Sequence, residues 1–192
     1  MVLRIGLIGQ SGPISEEMRA AAYAVGRAIA ARGALLFTGG RDGVMAAASE
    51  GARSAGGVTV GILPGDDLRE ANPYVTVPVT TGLTFQGRSE VRIHAADAFI
   101  IVGGGAGTLA EIAVAYLHRK PLVAVQGVGG WGDRLPAALV EGCYLDHRRL
   151  VPIHFVDDPD GTVALAVELC QAEPAEQRPI IHGPGDVPCS SL

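Results

Sequence analysis

Short apolar runs alternate along the chain with longer stretches whose apolar positions recur every three or four residues. The runs predict strands at Arg4–Gly9, Ala34–Thr38, Val58–Leu63, Ala98–Val102, Pro121–Val125 and Ile153–Val156, with a further short one at Val75–Val79. The helical periodicity covers Glu16–Arg32, Asp42–Ala55, Gln86–Ala95, Thr108–Arg119, Arg134–Glu141 and Thr162–Gln171. Regular alternation of the two implies an α/β fold: a Rossmann-like, doubly wound, mostly parallel sheet of about six or seven strands with helices on both faces. RIGLIG, AFIIV and PLVAV are almost continuously apolar, as strands buried on both faces must be. The pattern fails from Glu173 onward, where four prolines fall among scattered polar residues. Residues 1–171 therefore read as a single domain, and 172–192 as a flexible tail or a strap over a neighbour.

Glycine-rich turns follow four strands: Gly9-Gln-Ser-Gly12, Thr38-Gly-Gly-Arg-Asp-Gly43, Gly103-Gly-Gly-Ala-Gly107 and Gly127-Val-Gly-Gly-Trp-Gly132. Carboxyl ends of parallel strands share one edge of a sheet, so the four loops are expected to meet there. None is a GxGxxG fingerprint, since Gly6, Gly9 and Gly12 are wrongly spaced, and none has the lysine of a Walker A loop. The third is the most informative. AFIIV, then GGGAGT, then LAEIAVAYLHRK reads as buried strand, tight loop and helix start. Free N–H groups at a helix start attract an anion, glycines let it approach the backbone, and Thr108 adds a hydroxyl donor. Glu111 follows Thr108 by three residues, which places it in the first helical turn. Thr-x-x-Glu also fits a capping box. In the ligand reading, a carboxylate beside a phosphate seat has to serve another part of the ligand, such as ribose hydroxyls.

Composition narrows the class. With 192 residues, 48% hydrophobic and 18% charged, the chain can bury a sizeable core. No apolar run is long enough to span a membrane, and the N-terminal strand does not resemble a signal peptide. The net charge of −5 and a single lysine, Lys120, supply no basic face for nucleic acid. Cys143, Cys170 and Cys189 lack metal-site spacing and fit reduced thiols in a cytoplasm. Cys189-Ser-Ser-Leu192 is a poor prenylation box because its middle residues are serines.

Thr38–Gly65 (TGGRDGVMAAASEGARSAGGVTVGILPG) together with Gly103–Glu111 (GGGAGTLAE) resembles the Lonely Guy-like Rossmann superfamily, once labelled lysine decarboxylases. The likeness runs from about residue 2 to 170. Gly104, Gly105, Gly107, Thr108 and Glu111 match the PGGxGTxxE motif of its phosphoribohydrolase branch, while Gly103 stands in place of the proline. Arg88 matches the arginine of that branch's Arg-Lys pair, and Ser89 replaces the lysine. The chain is more similar to the sub-branch of molybdenum cofactor carrier proteins. The resemblance implies a homodimer and a phosphate-bearing ligand, a nucleotide or the molybdenum cofactor, on the glycine loop. In the hydrolytic branch the N-glycosidic bond of a nucleoside 5′-monophosphate is cleaved. Glu111 would then stabilise positive charge developing on the sugar and orient a water, and Arg88 would hold the phosphate or assist the leaving side of the sugar, with Arg41 or Arg92 compensating for the missing lysine.

The candidate ligand-contacting residues are accordingly Gly9, Ser11, Gly39, Gly40, Arg41, Gly104, Gly105, Gly107 and Thr108, with Glu111 and Arg88 catalytic if the protein is an enzyme. Asp42 either caps a helix or touches ligand, and Trp131 either stacks on a base or pterin or fills a hydrophobic gap. Glu90 and His94 share a helix face, but without a third donor in sight no metal site is expected. Ser11 lacks a Gly-x-Ser-x-Gly elbow, which argues against a serine hydrolase. Three functions remain in order: a binder or carrier of a phosphate-bearing small molecule, a phosphoribohydrolase, and an oligomeric regulatory protein with a vestigial pocket.

Overall fold

The computed structural model describes residues 2–172, so the tail expected beyond that point lies outside the described residues. Seven strands are present: β1 (Arg4–Gly9), β2 (Leu35–Thr38), β3 (Thr59–Leu63), β4 (Val77–Thr80), β5 (Ala98–Val102), β6 (Leu122–Val125) and β7 (Ile153–Val156). All pair in parallel, in the order β4-β3-β2-β1-β5-β6-β7. The helices are α1 (Glu16–Ala31), α2 (Val44–Ser54), α3 (Phe85–Ala95), α4 (Ala106–Leu117), α5 (Gly130–Ala138) and α6 (Pro159–Ala172).

Alternation along the strands divides the core in two. Ile5 and Leu7 of β1 and Ala98, Ile100 and Val102 of β5 bury against buried residues of α1, α2 and α6. Ile8, Phe99 and Ile101 turn to the other face, with buried residues of α3, α4 and α5. Each apolar strand thus serves two cores, which is why its sequence shows no polar alternation. Gly6 makes room for this: a Cβ there would strike the Phe99 ring.

The strand order reverses between β1 and β5. The chain winds outward from β1 to β4, then crosses back to lay β5 on the other side of β1. Gly9 pairs with Val102, so the two strands end level and their loops lie side by side. Such a switch point is where open α/β sheets form a ligand crevice.

Several expected boundaries move. The strand expected at Val75–Val79 is β4, two residues later at its start. Helix α5 begins at Gly130 rather than Arg134, because Asp133 accepts from Gly127 N (2.8 Å) and Gly129 N (2.7 Å) and draws the glycine loop into the helix start. Asp42 does not cap α2. Gly43 occupies that position at φ 61°, and no side chain caps it. Ser15 and Thr84 do cap α1 and α3, accepting from Met18 N and Gly87 N. No helix among the described residues is long and apolar enough to cross a membrane.

Candidate functional site

At the β1/β5 switch point a cavity of about 530 Å³ opens between the Gly9–Ser11 turn, the start of α4 and the side of α3. Its size suits a small-molecule ligand. Of the expected contact residues, Gly9, Ser11, Gly105, Gly107, Thr108, Arg88 and Glu111 line it; Gly104, Gly39, Gly40 and Arg41 do not.

The residues off the wall shape it from behind. A Cβ on Gly39 would collide with the Arg88 guanidinium, so this glycine is the space into which Arg88 folds. Gly40 packs on Leu63 and Gly61 at φ 75°. The Arg41 guanidinium lies over the Phe85 ring, 5.0 Å from its centroid, and 3.6 Å from Glu70. Gly104, at φ 103°, brings the loop so close to Thr108 that any Cβ would collide with that side chain. The other two glycine loops act as buttresses. Trp131 N–H donates to Gly104 O (3.0 Å) and Gly132 N–H to Gly103 O (3.2 Å), and Val44 N–H donates to Gln10 O (3.1 Å). The four loops meet as their positions in the sequence implied, but two form the wall and two hold it. Trp131, the second residue of α5, packs on the core and is not on the cavity wall, which favours the hydrophobic-gap role over stacking on a ligand.

Helix α4 starts two residues earlier than expected. Gly105 is its N-cap, and Leu109 N–H donates to Gly105 O (3.1 Å). The N–H groups of Ala106, Gly107 and Thr108 therefore precede the helical ladder and face no carbonyl one turn back. Thr108 is buried inside the first turn, so the capping-box reading fails. Glu111 is the sixth residue of the helix, beyond the first turn, and lies on the α3 side of the cavity. That separation removes the expected conflict between a carboxylate and an anion at the helix start.

Two arginines of α3 are buried beside this seat. Arg88 is 6% exposed and Arg92 1%. Arg88 Nη1 donates to Ile62 O at the end of β3 (3.0 Å), and Arg92 Nη1 to Leu7 O on β1 (2.8 Å). Arg92 Nη2 lies 2.7 Å from Glu111 Oε1, off the direction of a hydrogen bond, so the contact is an ion pair. Glu111 Oε1 also accepts from Ser89 Oγ (2.7 Å). Arg88 Nε, Arg92 Nε and Arg92 Nη2 have no hydrogen-bond partner. A buried donor without a partner costs about 1–3 kcal/mol, more for charged groups, and the penalty falls on the two Nε groups, since the Glu111 carboxylate compensates Arg92 Nη2. Burial lowers the Arg88 pKa to about 10, with repulsion from Arg92 and Arg41 adding to it and attraction from Glu111 opposing it. Arg88 therefore remains a cation at neutral pH, held in a place that penalises its charge. Arg92, which the sequence offered alongside Arg41 as a substitute for the missing lysine, lies four residues after Arg88 and shares that residue's helix face.

Ser89, which replaces the expected lysine, holds Glu111 as a neutral donor, and Arg92 supplies the cation. Gly103 sits at φ 60°, a value closed to proline, so the loop follows a path that the PGGxGTxxE motif's proline could not take.

The chain is 35% identical over 130 residues to the cytokinin riboside 5′-monophosphate phosphoribohydrolase of Mycobacterium tuberculosis, covering 64% of this chain and 68% of that one. The structure of the molybdenum cofactor carrier protein of Chlamydomonas reinhardtii superposes with a TM-score of 0.74 at 32% identity, over 90% of this chain and 100% of that one. The molybdenum cofactor binding protein of Rippkaea orientalis gives a TM-score of 0.75 at 29% identity, over 88% and 98%. The SLOG cluster4 family model matches residues 2–159, and the chain belongs to that family within the Lonely Guy-like Rossmann superfamily.

Proposed function

We propose that this protein binds a phosphate-bearing small molecule, a nucleotide or a molybdopterin-type cofactor, with its phosphate on the Gly105–Thr108 turn and its body in the cavity along α3. The observation that carries this is the pair Arg88 and Arg92, buried cations with unpartnered N–H groups lining the same cavity as the free start of α4. A phosphate dianion offsets both the exposed helix start and the buried charge. Similarity to carrier proteins for the molybdenum cofactor supports the pterin end of this range, and similarity to a phosphoribohydrolase supports the nucleotide end.

Hydrolysis is the second reading, favoured by Glu111. Its carboxylate lines the cavity and is fixed by Ser89 and Arg92, as suits a group that stabilises an oxocarbenium-like sugar or orients a water. Binding ranks first because Gly103 and Ser89 both depart from the hydrolytic motif beside the site.

The test uses Gly105→Val. Gly105 has an extended backbone (φ −111°, ψ −154°), and a Cβ there meets no protein atom within 4 Å, so the variant is expected to fold. Its side chain would occupy the anion seat. Each lost charge-assisted hydrogen bond is worth about 1.5–3 kcal/mol, so AMP affinity measured by calorimetry should fall roughly ten- to hundredfold or more. Unchanged affinity puts the seat elsewhere. Mass spectrometry of what co-purifies separates nucleotide from pterin. Adenine release from AMP, followed chromatographically, should be slow and should vanish in Glu111→Gln with binding retained. Rapid release dependent on both Glu111 and Arg88 makes the protein an N-glycosidase.

A further inference from the structure

The expectation that Glu90 and His94 lack a third metal donor does not survive folding. His118 follows the end of α4 as its C-cap, and the packing of α3 beside α4 brings it against the other two. His118 Nε2 lies 3.1 Å and His94 Nε2 3.6 Å from the same atom, Glu90 Oε1. The two imidazoles meet edge-on with centroids 4.4 Å apart, and donor atoms of all three residues fall within 4.8 Å of one another. No other such group occurs among the described residues.

We propose that Glu90, His94 and His118 form a site for a divalent transition-metal ion, of the Zn²⁺, Co²⁺ or Ni²⁺ class. Metal–donor bonds of about 2.0–2.1 Å at tetrahedral angles set donors roughly 3.3–3.4 Å apart. The two Glu90–histidine separations already bracket that spacing, and all three donors lie within 4.8 Å of one another. The donor set is two imidazoles and one carboxylate, which selects borderline transition metals over Mg²⁺ or Ca²⁺. In the single chain His94 and Glu90 are largely exposed and His118 is partly so, which leaves the fourth position for water or for a donor from whatever packs on α3 and α4. Glu90 also lines the cavity, so the ion would sit at its rim, across α3 from the buried Arg92. The anion seat and this site share no residue assigned to phosphate binding, and the proposal stands whether or not the ligand reading does.

The test is titration of the full-length chain, free of any affinity tag and stripped with chelator, with Zn²⁺ by calorimetry and with Co²⁺ by visible absorption at neutral pH. One ion per chain is expected, with d–d bands typical of low-symmetry four-coordinate Co²⁺. Loss of an outer-sphere partner alone costs about 10–100-fold in metal affinity, so His118→Gln and His94→Gln should each weaken binding at least tenfold. Glu90→Gln should do the same. These side chains are on the surface, and circular dichroism should show each variant folded. Zn²⁺ binding equal in the wild type and the His94→Gln/His118→Gln double variant overturns the proposal, as does the absence of any ion bound at micromolar concentration.

Discussion

Arg88 shows how a single side chain is held against its own stability. It reaches Ile62 O through one nitrogen, leaves Nε unpartnered, and sits near the cations Arg92 and Arg41. A glycine at position 39 is needed to admit it. Replacing a buried, incompletely satisfied ion by an apolar group of similar length is often neutral or stabilising. Arg88→Met is therefore expected to unfold at an equal or higher temperature than the wild type, while AMP affinity drops roughly tenfold or more. Calorimetric melting and titration on the same sample check both halves. A large loss of stability with affinity preserved would make Arg88 a structural tie between α3 and β3. That Arg88 and Glu111 belong together on one cavity wall was legible in sequence, because each sits in a short motif. The ion pair between Arg92 and Glu111 was not, since it joins two helices whose packing only the folded sheet determines.

Elements were largely legible because each carries its own period. Strands that face two cores read as apolar runs, and α1 starts where Ser15 caps it. Errors gathered where glycines blur a boundary. Helix α5 starts inside a glycine-rich stretch that reads as loop, and α4 starts at Ala106, capped by Gly105, instead of at Thr108. The same ambiguity hid the reason for two helical glycines. A Cβ on Gly26 of α1 would run into the carbonyl of Ala48, and one on Gly51 of α2 into that of Tyr23. The two helices thus approach backbone to backbone at two points, which explains why residues with poor helix propensity stand there. Neither carbonyl can rotate away without breaking its helix. Gly26→Ala would gain about 0.5–1 kcal/mol in helix propensity yet cost about 1–3 kcal/mol in overpacking, for a net loss of stability. Urea unfolding should show a lower midpoint with an unchanged slope. A stabilised variant would mean that α1 and α2 separate readily.

Among the described residues, one helix layer is left short of cover. On the α1, α2 and α6 side, the helices pack on one another over a continuous core. On the other side, Phe85 (49% exposed), Val91 (40%) and Leu117 (40%) of α3 and α4 remain accessible, and Leu83 before α3 joins them. Helix α4 carries hardly a polar position besides Glu111 and Thr108, as its sequence of Leu109, Ile112, Ala113, Val114, Tyr116 and Leu117 requires, yet the sheet covers only one of its sides. At the β4 edge of the sheet, Pro78 lacks an N–H and disfavours association by strand extension there. We therefore expect a homodimer that packs the α3/α4 layer of one protomer on that of its partner around a two-fold axis. A stable interface buries upward of roughly 1,000 Å² in total, which one helix pair from each protomer can supply. Light scattering at micromolar concentration should give twice the mass of the 192-residue chain. Val91→Glu combined with Leu117→Glu places like charges in the apolar contact and should yield a folded monomer, since both positions are surface sites in the single chain. A wild-type monomer at that concentration removes the dimer outright. A double variant that stays dimeric shifts the interface to another face.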